Sequence, residues 1–369
     1  MDAFATAQLS LAPALASALL HALWQITLLG LGAWLALAAT ARHSAAMRHA
    51  IGMLFLLAMV LVPALTFISF LQMPVPAVDA PPALLAEALG GASASVLLEH
   101  VSSSVTMVLA LLWVLCVAGA LVRHAGGLYL LRTLGNLPFE PMQAHRQQRI
   151  AQLAAAMNIR RSVEVRLSKD VAGPCTAHLL KPVIWLPLSL TKRLPRDQMD
   201  AVLAHELAHI ARLDWLWSGL QCAAESLLFF HPAARWLGHR IREEREHACD
   251  DLAAVACGDG IALAEALVQL ERSRQPVPRL LLAAHGGSLM KRVTRLLSAR
   301  STRSYWSGVA GITLVLAICS VLAVHAGVRV GGMPGVQLGS TDRHSREPQS
   351  PPSPRSPPSP ASPPSPVTY

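Results

Sequence analysis

The chain consists of long apolar runs set around one mixed stretch. A helix needs about 20 apolar residues to cross a bilayer. Four runs reach that length, roughly 15–39, 50–71, 101–122 and 307–328. No charged residue stands between Asp2 and Arg42, a gap too long for a helix of a soluble core. Inside the first run, His21 and Gln25 are four apart and share one helix face. Polar groups at membrane depth face other helices and not lipid, so this pair predicts hydrogen bonds between helices. Residues 123–306 are long enough for one globular domain. In that stretch Val163-Glu164-Val165-Arg166-Leu167 alternates and predicts a strand. Pro182–Pro187 is an apolar run between prolines and predicts an edge strand or a crossing segment. The rest of the stretch predicts mainly helix, and the apolar segment 215–230 predicts core packing. From Gly331 onward the sequence Ser-Pro-Pro-Ser-Pro recurs three times, which predicts an extended polyproline spacer without a core.

Composition sharpens this picture. Hydrophobic residues make up 53% and charged residues 14%, against roughly 25% charge in soluble domains. A coiled coil, a wholly disordered chain and a small disulfide scaffold are excluded. The net charge of +9 raises nucleic-acid binding. No strong helix-turn-helix pattern accompanies it, so direct contact with nucleic acid is not expected. The cations follow the apolar runs instead. Arg42 and Arg48 come after the first, Arg123 and Arg132 after the third, and Lys291, Arg292, Arg295, Arg300 and Arg303 before the fourth. The segment Met73–His100 has no Lys or Arg. The positive-inside rule then predicts a multi-pass protein of the inner (cytoplasmic) membrane, with both termini outside and 123–306 in the cytoplasm. The six cysteines show no C-x-x-C spacing, so neither a disulfide framework nor a Cys-based zinc site is expected. No basic segment precedes the first apolar run, so no cleavable signal peptide is expected.

The chemistry concentrates in His205-Glu206-Leu207-Ala208-His209, within Gln198–Ala211, a stretch of good helix formers without Gly or Pro. Residues four apart lie on one helix face, so His205 and His209 can chelate one ion. Glu206 can reach a metal-bound water as general base, which is the H-E-x-x-H arrangement of zinc hydrolases. A catalytic zinc takes a third protein ligand and keeps one position open. A second helix from Pro232 to before Gly258 offers it. There His239, Glu243, Glu246 and Asp250 fall within about 60° of each other, while Glu244 and Asp251 point away. This geometry leaves Glu243 and Glu246 both open as the third ligand. Cys249 projects about 80° off the acidic face and reads as a small buried residue. His239 and His247 read as surface or packing residues.

These residues resemble a known family. Ala201–His209 with Arg212 and Asp214 looks like the zinc helix of the BlaR/MecR-type membrane metallopeptidases. Phe230-His231-Pro232, Trp236 and Arg245–Asp251 look like that family's second signature, and His21–Gln25 is similar to its first span. The resemblance covers roughly residues 15–328. It implies a mainly α membrane protein of four transmembrane helices with a cytosolic α+β gluzincin-like zinc metallopeptidase domain. The corresponding divisions are a three-helix membrane region at 1–122, the peptidase domain at 123–306, the fourth helix at 307–328 and a disordered tail at 329–369. It also implies His205, His209 and Glu246 as Zn2+ ligands, Glu206 as general base, and Asp250 as the carboxylate that orients a ligand histidine.

The partners implied are the lipid bilayer and a protein substrate: a transcriptional repressor, or the protein's own loop within 275–304. Two other readings stand beside signal-transducing proteolysis. One is a proteolytically silent signalling or scaffold protein, and the other a general membrane quality-control protease. The chain departs from the family in two places. Gly173–His178 differs before the Lys-Pro-x-Ile segment, where the substrate-edge strand is expected. The residues after the fourth run are too few and too Pro-rich for a penicillin-binding sensor domain. Ser288-Leu289-Met290-Lys291, an S-x-x-K before the fourth run, reads as chance, so β-lactam acylation is not the expected input.

Overall fold

Three long apolar helices open the chain: α1 (Asp2–Ala39), α2 (Ala45–Gln72) and α3 (Ala92–Thr133). The computed structural model describes residues 2–72, 92–177, 181–273 and 289–298. The predicted fourth span, the Pro-rich tail, His178 and the cations Arg274, Arg300 and Arg303 lie outside the described residues. Segments Leu11–Ala39, Ala45–Gln72 and Ser103–Leu130 are each long and apolar enough to cross a membrane. Buried Gln25 donates from Nε2 to Thr66 Oγ1 of α2 at 3.0 Å, the interhelical bond its position predicts. His21 bonds within α1, to the Ser17 carbonyl, and sets its ring edge-on to Phe70 of α2.

A four-stranded sheet follows, in the order β1 (Glu140–Pro141), β2 (Glu164–Ser168), β4 (Val183–Pro187), β3 (Cys175–Ala177). β2 and β4 pair in parallel, with Glu164 opposite Val183, and the other pairs are antiparallel. β4 is therefore central and not an edge strand. Its prolines do not disturb the ladder, because Pro182 precedes it and Pro187 ends it. All five of its residues are buried, as a strand covered on both faces requires. The outer position belongs to the short β3.

Further helices are α4 (Ala144–Ala156), α5 (Leu190–Arg193), α6 (Arg196–Ala211), α7 (Asp214–Leu227), α8 (Pro232–Cys257) and α9 (Gly260–Ser273), and residues 289–297 are also helical. Helix α6 is buried almost all round, and Met199, Leu203 and Leu207 are fully enclosed. It forms the centre of a core with Val165 and Leu167 of β2, Ile184 and Leu186 of β4 and Leu153 of α4. Helix α8 joins this core to the apolar helices. Its later residues Cys249 and Ala253 lie in the α6 core. Its earlier residues Ala234, Leu237 and Ile241 pack with Ile26, Leu29, Phe55 and Met59 of α1 and α2. A Cβ at Gly52 would sit 2.7 Å from Ile241 Cγ1, so this glycine permits the close approach. Segment 215–230 does not go wholly into a core: Trp215, Leu216, Trp217 and Leu220 are exposed.

Candidate metal centre

Helix α6 has no side-chain cap, and Asp197 supplies an acid to its first turn. It stops at Arg212, and Leu213 takes left-handed angles (φ 55°, ψ 39°) before α7 begins at Asp214. A leucine in that region is strained, at a cost on the order of 1 kcal/mol. The turn brings Asp214 back beneath the helix it has left. Asp214 Oδ2 then lies 2.8 Å from His209 Nδ1 and accepts a hydrogen bond from it. With Nδ1 so engaged, Nε2 is the ring nitrogen that remains for a ligand role.

Helix α8 is capped by His231 at its start and closed by Gly258 at φ 72°. It delivers Glu246 and Asp250 to α6. Ligand atoms of His205, His209 and Glu246 lie within 4.8 Å of one another. Glu246 Oε2 is 3.7 Å from His205 Nε2, and Asp250 Oδ1 is 3.0 Å from His205 Nδ1. The latter pair is close, but its direction falls outside that of a good hydrogen bond. Both histidines thus have a carboxylate at Nδ1, the arrangement that fixes ring orientation in metal sites. Two imidazole nitrogens and one carboxylate suit a divalent zinc ion by donor chemistry.

The remaining sequence candidates separate. Glu243 turns to Arg240 and to Lys291 Nζ (3.1 Å), and His239 stands exposed beside it. Glu244 is buried against Arg48 of α2, with Nε at 2.8 Å from Oε2. His247 packs near Glu244. Cys249 is fully buried, and its Sγ donates to Asp214 Oδ2 at 3.1 Å. His209, Asp214 and Cys249 form a second compact donor group, but it uses His209 Nδ1, which Asp214 already occupies. Burial and Asp214 push the Cys249 thiol far up, so it stays a thiol donor.

Three functional contacts escaped sequence reasoning. Arg292, on a helical segment at 289–297, clamps Asp250 with two bonds of 2.8 and 2.7 Å and approaches Glu246 at 3.6 Å. Thr176 on β3 donates to Glu206 Oε2 at 3.1 Å. The third is the Asp214 contact itself. Only Asp214, five residues from His209, carried a local signal.

Charge in the centre is closely matched. Burial disfavours the charged form of His205, but Asp250 and Glu246 outweigh it and raise the pKa to about 9 in the metal-free protein. Burial acts to raise Glu246, yet His205, His209 and Arg292 bring it down to about 2. Asp250 is held well below the carboxylate range by Arg292 and His205, against its own burial.

The centre opens into a cleft of about 1030 Å³. Its walls include Thr176 and Ala177 of β3, Glu206 and Glu246 at the floor, and Leu121, His124 and Leu128 of α3. A helix bearing H-E-x-x-H, a carboxylate from a second helix and three apolar helices ahead of them form one arrangement. The family model for BlaR1 peptidase M56 matches residues 17–296 and so covers all of these elements. The chain belongs to the M56 peptidase family. A curated M56-like relative, the regulatory protein BlaR1 of Bacillus licheniformis, is 23% identical over 196 residues. That match covers 51% of this chain and 31% of the relative, so the chain aligns with about a third of that protein's length. In this M56 family member β3 is an outer strand of the sheet, and its Thr176 stands beside Glu206.

Proposed function

We propose that this chain is a membrane-embedded zinc metalloendopeptidase of BlaR/MecR type that hydrolyses a cytoplasmic or membrane-proximal protein in signal transduction. The observation that carries the reading is the convergence of His205, His209 and Glu246 within 4.8 Å, with Glu206 beside them on the cleft floor. His205, His209 and Glu246 hold the ion, and Asp250 and Asp214 orient the two rings. A bound zinc ion lowers the pKa of a water toward 7 and polarises the scissile carbonyl. Glu206 takes the proton of the attacking water and passes it to the leaving amine. Thr176 fixes one oxygen of Glu206, so the other is free to face the water. The substrate lies extended along β3.

In the same reading the protein has a fourth span at 307–328, the peptidase region faces the cytoplasm and both termini lie outside, as the distribution of Arg and Lys favours. The substrate is a transcriptional repressor or the protein's own 275–304 segment. The regulatory name of the Bacillus relative supports a signalling role.

Metal analysis of the purified full-length protein tests the site. The wild type should carry one zinc, and His205→Ala and Glu246→Ala should carry little. Zinc retained without Glu246 would move the third ligand to Glu243. Glu206→Gln should keep its zinc and lose cleavage by about 100-fold or more. Identical fragment patterns from wild type and Glu206→Gln would remove self-cleavage.

A further inference from the structure

Helix α7 is built inside out. Its buried positions include the polar residues Asp214, Gln221 and Ser226. Its exposed positions are Trp215, Leu216, Trp217, Gly219, Leu220 and Ala223, all uncharged and without a polar chain end other than the indole N–H; Trp215, Gly219 and Ala223 also line the cleft of the metal centre, whereas Leu216, Trp217 and Leu220 do not. In water this face would be a continuous apolar patch, which soluble proteins rarely show. The spanning helix α1 has the same inversion, with Gln25 buried and Leu20, Leu28 and Leu35 outward.

The tip of the α7–α8 hairpin is fastened at the depth of two spanning helices. His231 Nδ1 accepts from Ala233 N at 3.2 Å, so the ring proton sits on Nε2 and is donated to the Leu23 carbonyl at 3.0 Å. Thr27 Oγ1 lies 3.3 Å from the same nitrogen. Trp113 Nε1 of α3 donates to the Leu227 carbonyl at 3.2 Å. Leu23 and Thr27 fall in the middle of Leu11–Ala39, and Trp113 well inside Ser103–Leu130. Hydrocarbon offers no partner to backbone that leaves a helix, so a turn at this depth must be satisfied by protein. His231 and Trp113 do that here. A Cβ at Gly30 would sit 2.7 Å from Ala233 Cβ, which shows how closely α8 starts against α1.

Length decides whether the hairpin crosses. Helix α7 has 14 residues, about 21 Å, which is short of the roughly 30 Å hydrocarbon core. The chain therefore enters and returns. The outward flank of α8 is different in kind, since it carries exposed Arg235 and His239. Charged groups at this depth face protein or a wet cavity. Contact with acyl chains is confined to the α7 side.

We propose that α7 and the first half of α8 form a re-entrant membrane hairpin whose α7 face lies against lipid acyl chains. The occupant is lipid because that face continues the outward Leu and Trp surface of the spanning helices and its tip is pinned at their middle. This inference does not rest on the peptidase reading.

The test uses the full-length protein in phosphatidylcholine vesicles, with a photoreactive benzophenone amino acid in place of Leu220, Phe229 or His239. Mass spectrometry after irradiation should find acyl-chain adducts at positions 220 and 229, and none at 239. Adducts only to protein at 220 and 229, from a second copy or another part of this chain, would overturn the proposal. So would acyl adducts at 220 and 229 no more frequent than at 239. Two probe positions on separate turns keep the test decisive if one variant misfolds.

Discussion

Asp250 has two partners, His205 on one side and Arg292 on the other, and both keep it charged although it is 1% exposed. The same crowding makes the metal-free centre a proton store. With its pKa raised from the ordinary 6.5 to about 9, His205 is expected to carry a proton at neutral pH, and under the proposed reading a bound ion would have to displace it. Its contribution to the stability of the metal-free fold is fully present below about 6.5 and is lost as pH rises through about 9. Glu246 works in the other direction: its contribution is present above about 4.5 and is lost as pH falls through about 2. Apparent zinc affinity, measured by chelator competition, should therefore rise about tenfold per pH unit between pH 6.5 and 8. A flat profile would mean that no proton leaves His205. The pair His205 and His209 was legible in the sequence because a single helix places both. Arg292 was not, since 42 positions separate it from Asp250 and nothing local joins them. The choice of Glu246 over Glu243 depends on which side of α8 meets α6, and helical periodicity alone cannot fix that.

Among the elements, α6 departs most from a surface helix. With apolar neighbours on nearly every side it has no solvent stripe, so it reads like a core strut that happens to bear ligands. Leu207, between the two histidines, is fully buried in the α6 core. Leu207→Ala should destabilise by about 2–5 kcal/mol, the usual range for such a cavity, and should lower the melting temperature measured in detergent. Zinc content should fall less than in His205→Ala, because the ligands remain. The strand at Pro182–Pro187 is legible as a strand, but its interior place in the sheet is not. Proline forbids a central position only where its missing N–H would interrupt the ladder, and here both prolines stand at the margins. The reversed polarity of α7 was equally visible as an apolar segment, and core packing was the default only because its buried partners lie in distant helices.

At the scale of the molecule, the apolar helices and the metal centre share one rigid member. Helix α8 starts against α1, is paired through Glu244 to Arg48 of α2, and ends among the ligands. Arg48→Met would leave Glu244, 3% exposed, with only the longer contacts to Arg240 and His247. Breaking a buried pair by removing one partner costs several kcal/mol, so a loss of about 3 kcal/mol is expected. Chemical denaturation in detergent micelles would measure it, and a loss below about 1 kcal/mol would show that the pair is solvated. The three opening spans could be read from hydropathy alone. Their grip on α8 could not, since it depends on glycines 30 and 52, which carry no signal until a neighbour is known.

The Arg292 clamp depends on the continuity of the chain. Its helical segment is joined to α9 through residues 274–288, so the guanidinium meets Asp250 as part of the same molecule. A tether of that kind gives an effective concentration in the millimolar range. Once that tether is severed, retention of the guanidinium would depend on dilution. An enzyme that cut itself there would loosen the brace behind its own histidine, and its working life would be timed from the cut.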